Sequence, residues 1–172
     1  MTFCRPLRQH EAMRILKTWV SGWATSHRMH AGTRLFCLFG CQDQLDSMNH
    51  YIHCPFWLFL LSKTTLDSKP TPSSCPLTRL GLVDPSEDSL KSVACSFAAY
   101  HAVKRSLTHQ FLTSAPLCGD QILSSHRVFW DSYCTAARDC ELSHRAFSRI
   151  VAASRPGVSD TPEFSTPLAN SS

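Results

Sequence analysis

The sequence predicts a mostly α protein, and three observations carry that expectation. Two long stretches, 86–110 and 119–151, repeat apolar residues at spacings of three and four, the period of one helix face. A shorter stretch, 7–20, carries a partial stripe of Leu7, Met13, Leu16, Trp19 and Val20, with Arg8, Arg14 and Lys17 off it. Between them lies a compact block of cysteine and histidine that a metal ion can hold without a large apolar core. The expected order is a basic N-terminal helix, a small zinc-binding module, a long antiparallel helical hairpin and a disordered C-terminal tail. In residue numbers this is 1–62 for helix and zinc module, 63–85 for a linker, 86–151 for the hairpin and 152–172 for the tail.

Each element has its own warrant. Ser21-Gly22 breaks the first helix. Residues 24–36 are polar and basic, an irregular approach or short strand leading into Cys37. The linker holds Pro70, Pro72 and Pro76 among many hydroxyls. In the first long helix, Leu90, Val93, Ala94, Phe97, Ala98, His101 and Leu107 form the stripe, and Ser86 ahead of Glu87 and Asp88 reads as its N-cap. The second carries Ile122, His126, Phe129, Tyr133, Ala137, Cys140, His144, Phe147 and Val151, with Asp120 as a starting residue. The short loop 113–119 makes the two an antiparallel pair. Pro156, Pro162 and Pro167 among serines mark the tail.

Composition excludes several classes. With 172 residues, 43% hydrophobic and 17% charged, the chain is too apolar to be wholly disordered. Its longest apolar run is Phe56 to Leu61, far short of the roughly 20 residues a membrane span needs. No apolar stretch precedes Arg5, which argues against a secretory signal. Nine cysteines, an odd number, fit a reducing compartment, nucleus or cytoplasm, better than a disulfide framework. The net charge of +4 is concentrated: Arg5, Arg8, Arg14, Lys17, Arg28 and Arg34 face only Glu11 within the first 41 residues. Such a front end suits phosphate contacts, to RNA or DNA, through Arg8, Arg14, Lys17, Arg28 and Arg34; a solvated helix face competes with that reading.

The chemistry concentrates in residues 37–55. Cys37, Cys41, His50 and Cys54 follow the pattern C-x3-C, eight residues, H-x3-C. Two thiolates on a tight turn bite one ion, and Gly40 permits that turn. His50 and Cys54 stand one helical turn apart, on a helix starting near Asp46 or Ser47. Pro55 disfavours helix at Cys54, so that helix ends or kinks there and Phe56–Leu61 packs separately. His53 competes with His50 as ligand. Four ligands close the shell around one structural Zn2+ with no catalytic opening. Burial of the cysteines as small apolar side chains is the competing account.

The segments Thr25-Ser-His-Arg-Met-His, Arg34-Leu-Phe-Cys-Leu-Phe-Gly-Cys and Asp46-Ser-Met-Asn-His-Tyr-Ile-His-Cys-Pro resemble the zinc-binding region near the C-terminal end of non-LTR retrotransposon reverse transcriptases. The resemblance covers about residues 25–61. It implies ligand roles for Cys37, Cys41, His50 and Cys54 and places Pro55 at the family's trailing proline. The Cys pair is spaced by three residues rather than the usual two, and Met48-Asn49 stand where the family commonly has a Glu. The resemblance further implies a nucleic-acid-associated module beside a polymerase. The polymerase is not expected here: there is no Asp-Asp dipeptide to hold paired Mg2+, and the chain is too short for palm, fingers and thumb. The alternatives are a helical interaction or scaffold protein in which zinc only holds the fold, and a retroelement relic without a selected function.

No His-Glu-x-x-His, P-loop, G-x-S-x-G, dinucleotide or deaminase signature is present, so no enzyme is expected. Cys140 and His144, four apart on the apolar stripe, read as core. His101 and His126 read as a hydrogen-bonded pair across the hairpin. Trp19 and Trp23 read as anchors of the basic segment rather than as base-stacking platforms.

Overall fold

The computed structural model describes residues 7–29, 35–64, 80, 82–83, 86–110, 116–143 and 147–148. Among the described residues these helices follow in order: α1 (Gln9–Trp19), α2 (Met48–Tyr51), α3 (Pro55–Thr64), α4 (Glu87–Gln110) and α5 (Gly119–Asp139). Among the described residues no strand forms; the approach to Cys37 contributes one isolated antiparallel bridge, Phe36 to Leu45. The protein is mostly helical, as its periodicity predicts.

α1 begins where the Glu11 side chain accepts the Arg8 backbone N–H at 2.8 Å, so an acid satisfies a donor the helix leaves orphaned. It ends at Val20; Ser21 takes φ 53° and the Gly22 N–H turns back to the Lys17 carbonyl. A Cβ at Gly22 would sit 2.6 Å from that carbonyl oxygen, so only glycine fits this return. The buried side of α1 sets Ile15 against Val93 and Ala94 of α4.

α4 starts as expected, with the Ser86 hydroxyl accepting the Ser89 N–H at 3.1 Å. Its buried surface is wider than one stripe: Cys95, Ala99, Tyr100 and Val103 are covered along with Val93, Ala94 and Leu107. The cause is that α4 is sandwiched, with α1 and α5 both packed on it. α4 and α5 run antiparallel, since Asp88 near the start of α4 bonds Ser143 beyond the end of α5, and Ser92 meets Tyr133 at 2.6 Å.

α5 is shorter than its periodicity predicts. It stops at Asp139, twelve residues before Val151. Glu141 adopts a left-handed φ of 51°, its N–H bonds the Arg138 carbonyl and the Leu142 N–H bonds the Ala137 carbonyl. That pair of bonds is a Schellman stop, and spacing of apolar residues carries no information about it. His144, the expected tail and most of the expected linker lie outside the described residues. The linker's first two positions, 63 and 64, belong to α3.

One apolar cluster connects these elements. Trp23, Cys37, Leu38, Phe39, Tyr51, Cys54, Phe56 and Trp57 pack with Cys95, Tyr100, Phe129 and Tyr133 of the hairpin. Trp23 sits at its centre, fully buried, with ring centroids 4.5 Å from Tyr100 and 5.0 Å from Trp57; its indole N–H donates to the Thr18 hydroxyl. This is the anchoring role expected for Trp23, whereas Trp19 stays partly exposed and donates its indole N–H to the Leu80 carbonyl. No helix among the described residues is long and apolar enough to cross a membrane.

Candidate metal centre

The cysteine-histidine block folds from its two ends. Phe36 pairs with Leu45, and the Cys37 N–H bonds the Gln44 carbonyl at 2.7 Å, closing a narrow loop. Inside it the Gly40 N–H returns to the Cys37 carbonyl, and Gly40 takes φ 92°, the left-handed turn the sequence anticipates. A Cβ on Gly40 would also stand 2.7 Å from the Ile122 side chain of α5. Ser47 then caps α2, its hydroxyl accepting the His50 N–H at 3.2 Å. α2 lasts four residues, and α3 begins with Pro55, which needs no donor at the first helical position. Cys54 therefore sits in the joint between two helices, as Pro55 predicts.

The result is convergence. A ligand atom from each of Cys37, Cys41, His50 and Cys54 lies within 4.8 Å of every other. The Cys54 sulfur is 3.7 Å from that of Cys41 and 4.0 Å from that of Cys37. Cys37 and Cys54 are fully buried, while Cys41 and His50 are half-buried. The four can hold one metal ion. His53 faces solvent and is not in the group, so the choice between the two histidines falls to His50.

Two features mark the set as more than packed thiols. The Nε2 of His50 is buried and has no hydrogen-bond partner, an orphan that a bound cation satisfies. The Phe39 N–H points at the Cys37 sulfur at 3.4 Å, the kind of backbone donation that orients a thiolate ligand. The charge is divided unevenly. Cys41 falls well below the ordinary thiol range, chiefly because the Cys37 and Cys54 thiols beside it favour its charged form. Burial, then the bonds to Cys41 and Cys54, pushes Cys37 well up. The Cys37 bond pulls Cys54 down, but its bond to Cys41 and its burial outweigh that and push it up to about 12.

The hairpin braces this loop from behind. Ser125 of α5 donates to the Leu38 carbonyl and His126 bonds the Phe39 carbonyl at 3.2 Å, its ring stacked on Phe56 at 4.0 Å. His126 is thus not paired with His101. That expectation fails because α5 turns His126 toward the loop, while His101 rests on Phe97 and Tyr100 with its Nε2 unpartnered.

Sequence reading missed Asp46. This acid is fully buried and accepts from the Ser26 N–H (2.6 Å), the Tyr51 hydroxyl (2.8 Å), the Tyr100 hydroxyl (2.7 Å) and the Lys104 ammonium (2.9 Å). Two of its partners are 54 and 58 residues away, so no local spacing signals it. Tyr51 in turn accepts the Leu38 N–H at 3.3 Å, which links Asp46 to the metal loop.

The described basic residues of the N-terminal segment meet different surroundings. Arg8 bonds the Asp139 carbonyl at 2.7 Å and pairs with Glu141, so it serves the contact between α1 and α5. Arg14 is half-buried, Lys17 is exposed with its ammonium 6.0 Å above the Phe97 ring, and Arg28 is exposed. Arg34 lies outside the described residues.

Fold and site together define a small helical protein with a Cys3His cluster able to hold a metal ion. The chain matches no protein-family model, no curated protein and no solved structure.

Proposed function

We propose that this protein is a structural zinc module of the kind found in non-LTR retrotransposon reverse transcriptases, without the polymerase, and that it binds RNA or DNA. The convergence of Cys37, Cys41, His50 and Cys54 carries the reading. Tetrahedral zinc with thiolates about 2.3 Å away separates its sulfurs by about 3.8 Å. The sulfur separations of 3.7 and 4.0 Å bracket that value. Three thiolates and one imidazole suit zinc and leave no position for substrate, so the ion's work is structural. The order of motifs along residues 25–61 supports the kinship.

The test is the zinc content of the purified full chain by native mass spectrometry. His50→Ala lowers the count by one ion per chain. A count unchanged by that substitution contradicts the reading.

For nucleic acid, the excess charge of the N-terminal segment is the support. We assign the phosphate contacts to the exposed Lys17 and Arg28 with Arg14 and Arg34, and a lesser share to Arg8 because Glu141 already engages it. Affinity for a short RNA or DNA duplex should then fall steeply between about 50 and about 200 mM salt. Lys17→Gln and Arg28→Gln should each make that salt dependence shallower, by roughly one in the logarithmic slope. Salt-independent binding would remove this role.

A second reading has its own observation. On α1 and its capping residue, Met13, Leu16, Trp19 and Val20 are 39–65% exposed, which suits a protein partner laid along that helix while zinc only holds the fold. It is separated from the first by retention of a protein partner in a variant whose N-terminal cations are all replaced by Gln.

A further inference from the structure

Three helix ends meet at one place, the starts of α1 and α4 and the end of α5. Arg8, just ahead of α1, bonds the Asp139 carbonyl at the end of α5 and the Glu141 carboxylate beyond it. Lys91, in the second turn of α4, bonds the Glu141 carbonyl at 3.2 Å and pairs with Glu87 at 2.7 Å. These contacts fix the first turn of α1 against the capping residue of α5, Cys140. A second group of ligand atoms comes together there. A ring nitrogen of His10, a carboxylate oxygen of Glu11 and the sulfur of Cys140 all lie within 4.8 Å of one another.

Glu11 carries an independent sign of what this junction is for. It is 2% exposed, and its Oε2 accepts the Arg8 N–H, but its Oε1 has no hydrogen-bond partner. A buried carboxylate oxygen without a partner is costly, and capping α1 needs only one of the two oxygens. A cation held between Glu11, Cys140 and His10 supplies the missing partner.

We propose that His10, Glu11 and Cys140 form a second metal site, for a divalent ion of the Zn2+ or Co2+ type. One imidazole, one carboxylate and one thiolate make a borderline-soft donor set that selects these ions over Mg2+ or Ca2+. His10 is exposed, so three protein ligands hold the ion at the surface and the fourth position opens to water. Cys95 of α4 and Cys140 are both buried members of the main apolar cluster, so Cys140 is held from the inside by packing. This site shares no residue with the Cys37–Cys54 centre.

The test is metal stoichiometry of the full chain after titration with Zn2+, read by native mass spectrometry. Expected are two ions in the wild type, one in His10→Ala and one in His50→Ala. His10 is exposed, so its removal leaves the fold intact, which circular dichroism checks. With Co2+ as the probe, Cys140→Ser removes the one-thiolate share of the thiolate-to-metal absorption that this site contributes and leaves the share of the Cys37–Cys54 centre. A count that His10→Ala leaves unchanged overturns the proposal, whatever His50→Ala does. A single ion lost with His10 and kept without His50 supports this site and removes the other.

Discussion

Asp46 shows how much one side chain carries. Its buried charge is matched by Lys104 and by hydroxyl donors from α2 and α4, so removing it takes the ion-pair partner from Lys104, whose ammonium keeps the Ala24 carbonyl, and the acceptor from two tyrosine hydroxyls at once. Breaking a buried pair by deleting one partner costs about 3–5 kcal/mol. Asp46→Ala should lose that much in urea denaturation; a loss below about 1 kcal/mol, the scale of an exposed pair, would contradict the assignment. His101 gives a pH-dependent counterpart. Burial, then the cations of Lys104, Arg105 and Lys17, hold it down to about 4 from an ordinary 6.5. The unfolded chain therefore takes up this proton at higher pH than the folded one. The stability it contributes is complete above pH 6.5 and lost as pH falls toward 4. Urea midpoints of wild type and His101→Gln should keep a constant difference above pH 6.5, and the difference should move against the wild type below it. A difference that does not vary with pH refutes this.

At the scale of elements, the decisive features are ends and joints. The Ser47 hydroxyl fixes the first turn of α2, and that turn aims His50. Ser47→Ala should cost about 1 kcal/mol and weaken zinc binding to the same extent. Unchanged affinity would mean that the metal alone orders α2. Stops and starts also divide what the sequence reveals from what it hides. Pro55 announces the joint at Cys54, Ser86 announces α4, and Ser21-Gly22 announces the end of α1, because each acts through its immediate neighbours. The end of α5 is hidden, because a non-glycine residue, Glu141, takes the left-handed position. Asp46 is hidden because its partners are distant in sequence. The pairing expected of His101 and His126 fails because periodicity places residues on a face but not opposite one another. The Cys37, Cys41, His50 and Cys54 cluster is legible because C-x3-C and H-x3-C are short-range geometry that one loop and one turn can satisfy.

For the whole molecule, the metal loop and the helical hairpin share one core. Phe39 packs on Phe129 at 5.3 Å, Trp57 on Phe129 at 6.2 Å, and Cys37 and Cys54 are members of the same cluster as Tyr100. Removing the metal should therefore loosen more than the loop. On chelation, near-ultraviolet dichroism from the tryptophans and tyrosines should collapse together with amide protection in α4 and α5. Loosening confined to residues 37–54 would show two independent units instead.

X-ray absorption at the zinc edge, on His10→Ala protein so that only the first centre is loaded, reads the ligand shell itself. Three sulfurs at about 2.3 Å and one nitrogen at about 2.0 Å are predicted. A shell of nitrogen and oxygen alone, or one with fewer than three sulfurs, would contradict the assignment of Cys37, Cys41, His50 and Cys54.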